Sequence, residues 1–104
     1  MSKIGKINEL TNFLASALRH KIGAIVNPSQ PYVQKYQKEA DILFRKAKKL
    51  SLKINFNSYD KKILMEILSK RLKQELERCT YLDNKKFEMM DKEIEKVLKE
   101  LGLD

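Results

Sequence analysis

The feature that most constrains the fold of this 104-residue chain is a helical spacing of apolar residues that recurs in four separate stretches. Side chains spaced three or four apart line one face of an α-helix, and short connections between such helices favour antiparallel neighbours. The pattern predicts an all-α fold: a compact, largely antiparallel four-helix bundle that occupies residues 1–104 as a single domain. Hydrophobic residues make up 42% of the chain, which is enough for one core.

Turn and capping residues predict the boundary between the first two helices. The first helix is expected to end either at Gly23, as a C-terminal cap, or at Asn27, which precedes a proline. Ser29 or Gln30 is the expected N-cap of the second helix, with Pro31 in its first turn.

The third and fourth helices carry clearer signals at their ends. Asn57 and Asp60 have the spacing of a capping box at the start of the third helix. Asp83 is the expected cap of the fourth helix, and Gly102 is expected to close it.

The stretch "SLKINFN" between the second and third helices alternates apolar and polar residues in the manner of a β-strand. A lone strand leaves its backbone groups without partners, so the stretch is predicted to be an extended connector. Its apolar residues, Leu52, Ile54 and Phe56, are expected to pack against the bundle.

The charge of the chain is concentrated in its first half. The net charge is +8; residues 1–53 carry eleven Lys and Arg against three acidic residues, whereas residues 54–104 carry eleven of each. Such a directional field favours an anionic partner for the first half.

The second predicted helix carries most of these cations on the face opposite its apolar stripe. Four of them, Lys35, Lys38, Arg45 and Lys49, form a row with Ile42 at a spacing of three and four, and Lys46 and Lys53 flank this row. Such a row is able to follow a line of phosphates. The alternative is an ordinary solvated outer face. The candidate residues for nucleic-acid binding without sequence preference are Lys35, Lys38, Arg45, Lys46, Lys49 and Lys53.

His20, the single histidine, follows Arg19 directly. Adjacent side chains on a helix point about 100° apart, so these two cannot converge on one atom. Ser16 lies one turn before His20, but no acidic residue stands nearby in the sequence to orient the ring. We therefore expect a polar corner of the helix surface and no catalytic site.

A small helical bundle with one histidine resembles, in outline, ribonuclease domains of the HEPN type. In that family an arginine precedes the histidine by several residues, whereas here Arg19 and His20 are adjacent. The resemblance extends to architecture alone, and it implies an alternative function as a HEPN-like nuclease or toxin-system component.

The sequence contains no motif that indicates a metal site or a cofactor site. One His and one Cys cannot complete a zinc site, and no glycine-rich phosphate loop is present. Cys79 continues the apolar stripe of the third helix and is expected to be a buried thiol. No metal and no cofactor are predicted.

Small and polar residues on the back of the first helix predict a surface for another helix, because Gly and Ser allow close approach. With an apolar residue from each of the second and fourth helices, the candidate partner interface comprises Asn12, Ser16, Arg19, His20, Gly23, Ile42 and Met89. The leading hypothesis is a small non-enzymatic scaffold or adaptor that binds a protein partner or a second copy. Neither a membrane-length apolar run nor a signal peptide is evident, which predicts a cytoplasmic protein without membrane contact.

Overall fold

The computed structural model describes residues 2–29 and 31–104 and contains four α-helices. They are α1 (Lys3–Val26), α2 (Val33–Ser51), α3 (Ser58–Arg78) and α4 (Lys85–Glu100). The described residues include no β-strand, and the radius of gyration is 13.5 Å. The prediction of a compact all-α four-helix bundle is therefore confirmed.

Helix α1 is the central element of the bundle. It packs against each of the other three helices, whereas the backbone of α2, within the described residues, meets only that of α1. Side-chain pairs along the helices make α2 and α4 antiparallel to α1 and make α3 parallel to it. Helices α3 and α4 in turn pack against each other.

The core lies mainly where α1, α3 and α4 meet, and leucine dominates it. Helix α3 contributes leucines one turn apart, as its apolar stripe predicts. The largest fully buried apolar side chains are Leu10, Leu14, Leu18, Ile22, Leu64, Leu68, Leu72, Leu76 and Ile94. Helix α2 buries only Ala40, Ala47 and Ser51.

The boundary between α1 and α2 differs from the prediction. Helix α1 ends at Val26 with Asn27 as its C-cap, the second of the two predicted ends, and Gly23 lies inside the helix. Helix α2 begins at Val33 without a side-chain cap, so the prediction of a Ser29 cap is wrong. Residues 28–29 and 31–32 form turns, which leaves Pro31 outside the helix. Gln30, the alternative cap, lies outside the described residues.

The start of α3 is the capping box that the sequence predicts. The Asp60 backbone N–H donates to the Asn57 side chain at 2.7 Å, and the Asn57 backbone N–H donates to the Asp60 carboxylate at 3.1 Å. The Lys3 ammonium of α1 also pairs with Asp60. Its hydrogen bond, together with that from Asn57, holds the pKa of Asp60 below the ordinary 3.8.

The two ends of α4 differ in how well the sequence predicts them. Asp83 accepts a hydrogen bond from the Lys85 backbone N–H at 3.0 Å, but Asn84 occupies the N-cap position, one residue later than predicted. Gly102 closes the helix with a φ of 70°, as expected. The Leu103 backbone N–H then donates to the Leu98 carbonyl at 2.7 Å, which is the bond of a Schellman motif.

The connector between α2 and α3 forms no strand, as predicted, but it begins with a turn at residues 52–53 and only part of it packs inward. Ile54 is buried and Phe56 is half-buried against the core. Leu52 is 80% exposed, so the expectation that it packs against the bundle is wrong. Leu52 is the C-cap of α2 and still has helical dihedral angles, which direct its side chain away from α1.

Candidate nucleic-acid interface

The outer face of α2 is open because this helix packs through one side only. All six candidate cations on it are exposed, and Ile42 within the row is 44% exposed. We call the surface formed by Lys35, Lys38, Arg45, Lys46, Lys49 and Lys53 the α2 basic face.

The positive charge of the α2 basic face is not balanced by local carboxylates. Within the described part of the chain, none of its six cations forms an ion pair. Of the two acidic residues of α2, Glu39 pairs with α1, and Asp41 lies in a groove on the flank beside Lys21 and Phe44. The cations therefore present an uncompensated field to solvent.

His20 has an acidic partner that the sequence analysis did not foresee. Its Nε2 lies 2.8 Å from a carboxylate oxygen of Glu39, and its Nδ1 lies 2.7 Å from the Ser16 carbonyl oxygen. Glu39 is nineteen residues away along the chain, so only the packing of α2 on α1 brings it to the ring.

The surroundings of His20 leave neither ring nitrogen free. One nitrogen faces the Ser16 carbonyl oxygen and the other faces a Glu39 carboxylate oxygen. The side chain is 13% exposed, and the edge of Tyr36 contacts it with ring centroids 5.1 Å apart.

Arg19 points toward a different helix from its neighbour. Its Nε lies 3.8 Å from a carboxylate oxygen of Glu75 on α3. The two adjacent residues therefore connect α1 to α2 on one side and to α3 on the other, as their angular separation requires. The predicted polar corner is the junction of these three helices.

Further cations surround Glu75. A polar cavity of about 260 Å³ between α1 and α3 is lined by Asn12, Arg71, Gln74, Glu75 and Arg78. This cluster was not predicted, although Arg71 and Arg78 are seven residues apart and therefore lie on one face of a helix. Positive charge thus lies on α3 as well as on α2.

Tyrosines gather at the start of α2. The rings of Tyr32 and Tyr36 lie with centroids 4.6 Å apart, and the Tyr36 and Tyr81 hydroxyls are 3.1 Å apart. This hydrogen bond raises the pKa of the Tyr81 phenol above its ordinary 10.0. Tyr81 is 57% exposed, so an aromatic surface lies near the beginning of the α2 basic face.

The residues predicted to form a partner interface do not lie on one free surface. Gly23 is buried, and a Cβ added to it would lie 3.2 Å from the Tyr36 ring. This glycine therefore already allows α2 to approach α1 closely and is not free for a partner. Met89 is partly buried against the core, and Ile42 belongs to the α2 basic face. Asn12 and Ser16 remain at the open side of α1, one exposed and one half-buried.

Two buried charges were also missed by the sequence analysis. Lys86 donates to the Cys79 carbonyl at 2.7 Å, where α3 ends and a cation is favoured by the helix dipole. Glu93 is 2% exposed and lies 2.7 Å from the Lys21 ammonium. Their positions in the sequence do not distinguish them from the exposed charges of α4.

Two further findings bear on the type of site. Cys79 is a buried free thiol, and the described residues include no group of three or more potential metal ligands. Across residues 2–29 and 31–104, no helix combines the length and apolar character that a membrane crossing needs.

Comparisons with known proteins give no relative. No protein-family model, no curated protein and no solved structure matches this chain.

Proposed function

We propose that this protein binds nucleic acid through the α2 basic face, by contacts with phosphates and without sequence preference. The observation that carries the proposal is a set of six exposed cations on α2 and directly after it, none of which forms an ion pair within the described residues. In that part of the chain α2 packs against one other helix, so this face is open. Each Lys or Arg that contacts a phosphate releases a condensed counterion, and this release is the main source of affinity in non-specific binding.

The aromatic surface at the start of α2 supports a contribution from bases. Tyr32 precedes Lys35 by one turn, so a half-exposed ring and an ammonium group lie on neighbouring positions. Tyrosines beside a basic row suit single-stranded nucleic acid, whose unstacked bases are free to stack on aromatic rings. We therefore expect tighter binding to single strands than to a duplex of equal length.

The surroundings of His20 support binding rather than catalysis. Both of its ring nitrogens already face acceptors, so neither is free to take a proton from a nucleophile. The HEPN-like alternative requires a histidine that reaches a substrate, and this ring is largely covered.

The proposal is tested by the salt dependence of binding to a labelled single-stranded oligonucleotide. Four phosphate contacts predict a slope of log K against log[salt] of about −3 on single strands and about −3.6 on duplex DNA. Reversing Lys35, Lys38, Arg45 and Lys49 to Glu is expected to abolish binding, while circular dichroism shows an unchanged helical content.

A matched variant controls for net charge. Reversing Lys62, Lys70, Lys73 and Lys85 to Glu changes the total charge equally at exposed positions on α3 and α4. This variant is expected to retain most of the affinity of the wild-type protein. Equal losses in both variants, or no binding by the wild-type protein at low salt, would show that the α2 basic face is only a solvated surface.

A further inference from the structure

A groove between α3 and α4 lies on the side of the molecule away from α2. Three successive residues of α1 pair with different helices: Arg19 with α3, His20 with α2 and Lys21 with α4. Successive residues point about 100° apart, so α2 lies on the side of α1 away from the contact between α3 and α4. The outer surface between α3 and α4 therefore has no cover within the described residues. At the C-terminal end of α4 this surface opens into a cavity of about 490 Å³ with Met65, Leu98 and Leu103 among its lining residues.

The cavity continues along α3. Met65 also lines a second, shallower depression that extends to Met90 on α4 and to Lys73 on α3. From Lys61 to Lys73 the groove follows thirteen residues of α3, whose twelve steps of rise span roughly 18 Å, or the length of a three-turn helix. We call this continuous surface the α3–α4 groove.

The floor of the α3–α4 groove is apolar and adaptable. Met65 is 46% exposed, and Met90 is only half-buried. Methionine side chains are flexible and polarisable, and they are common where a protein surface receives the apolar face of a helix.

The α3 edge of the groove is basic. Lys61, Lys62, Lys70 and Lys73 line it with one acidic residue, Glu66, and none of these four lysines forms an ion pair within residues 2–29 and 31–104. The opposite edge is mixed in charge, with Glu95, Lys99 and Asp104, so the basic character belongs to the α3 edge. A partner that carries carboxylates along one side of an apolar stripe complements this edge. A second copy of the chain fits less well, since it brings a net charge of +8 and the same lysines to a two-fold contact.

We propose that the α3–α4 groove binds an amphipathic helix of about three turns from an acidic protein partner. The apolar stripe of that helix lies on Met65, Met90 and Leu98, and its carboxylates pair with the lysines of α3. This proposal does not rest on nucleic-acid binding, which uses the other side of the molecule. It gives the chain an adaptor role through a surface different from the predicted face of α1.

The probe is a labelled synthetic peptide of about 14 residues, long enough for the groove, with leucines at helical spacing and glutamates elsewhere. Fluorescence anisotropy against the full chain is expected to show saturable binding. A scrambled peptide of equal composition and a peptide with lysines in place of glutamates are expected to bind at least about tenfold more weakly, a difference of 1.4 kcal/mol. Equal binding of the scrambled peptide would overturn the proposal.

Protein variants locate the binding site. Met65→Lys is expected to weaken binding of the acidic peptide about tenfold or more, and the double variant Lys70→Glu, Lys73→Glu is expected to weaken it and reduce its salt dependence. Leu52→Lys, at an exposed apolar residue outside the groove, is the control and is expected to bind as the wild-type protein does. Unchanged binding in Met65→Lys would overturn the proposal.

Two further measurements separate this proposal from other occupants. If light scattering shows a dimer that Met65→Lys dissociates, the groove binds a second copy of the chain. If the peptide does not bind, but the protein binds phosphatidylglycerol vesicles and Met65→Lys abolishes that binding, the groove binds a lipid surface. Met65→Lys is expected to bind oligonucleotides normally, and the fourfold variant of the α2 basic face is expected to bind the peptide normally. Failure of one proposal therefore leaves the other intact.

Discussion

The two sides of α1 are packed by different means. Toward α3 and α4, α1 buries leucines against the leucines of α3, and these side chains have no exposed surface. Toward α2, Gly23 of α1 lies against the Tyr36 ring, and His20 pairs with Glu39. The buried residues of α2 are two alanines and a serine. The first side is stabilised chiefly by complete apolar burial. The second combines close approach and polar contacts with the partial burial of Phe44 and Leu50.

This difference implies unequal stability along the chain. Burial of a leucine side chain contributes roughly 1.5–3 kcal/mol, whereas small residues and partly exposed ion pairs contribute much less. We expect α2 to open more readily than α3, which is measurable as faster amide hydrogen exchange in residues 33–51. A helix that carries the proposed nucleic-acid interface and, within the described residues, packs against one other helix is suited to small adjustments on binding.

The largest effect is expected from a cavity in the leucine core. Leu68→Ala removes a fully buried side chain and is expected to lower the free energy of unfolding by about 2–5 kcal/mol. Chemical denaturation measures this loss, and hydrogen exchange is expected to quicken in all four helices. If hydrogen exchange became faster in α3 alone, the leucine core would not be what stabilises all four helices.

A smaller effect is expected from overpacking beneath α2. Gly23→Leu forces the Tyr36 ring away from α1 and is expected to cost about 1–3 kcal/mol, with faster exchange chiefly in α2. Gly23→Ala is the graded control, because its helix propensity gain of about 1 kcal/mol offsets a displacement of the ring. A Gly23→Leu protein as stable as the wild-type protein would show that Tyr36 does not hold α2 in place.

Removal of the polar contact between α1 and α2 is expected to matter less. His20→Ala loses the pair with Glu39 and the aromatic edge contact with Tyr36, for an expected cost of about 1–2 kcal/mol. Ser16→Ala keeps the carbonyl that bonds His20 and is expected to leave stability unchanged. If hydrogen exchange in α2 is the same in His20→Ala as in the wild-type protein, the histidine does not anchor this helix.

The smallest effect is expected at the polar contact between α1 and α3, and it depends on pH. The pKa of Asp60 is below its ordinary 3.8, so the carboxylate stabilises the folded state above that pH, and this contribution disappears as the pH falls through the lowered pKa. Asp60→Asn is therefore expected to be less stable than the wild-type protein at pH 7 and to converge with it in acid. A constant difference across the denaturation midpoints from pH 7 to pH 2 would argue against the pair with Lys3.

Local features of the fold were predictable from the sequence because they depend on neighbouring residues. The four helices follow from the spacing of apolar residues, the start of α3 from Asn57 and Asp60, and the end of α4 from Gly102. The position of the α2 basic face was predictable too, since residues opposite an apolar stripe point to solvent. Prediction was weakest between α1 and α2, where Tyr32 replaced Ser29 as the cap.

What the tertiary structure decided is which helices meet. An apolar stripe shows that one face of a helix is buried but not which helix covers it. The sequence alone therefore did not reveal that, within the described residues, α1 is the only helix that packs against α2. The partners of Arg19 and His20, the burial of Lys86 and the groove beside Met65 all depend on this arrangement. Such contacts join residues distant in the chain, and their energies arise only when helix packing brings the side chains together and excludes water.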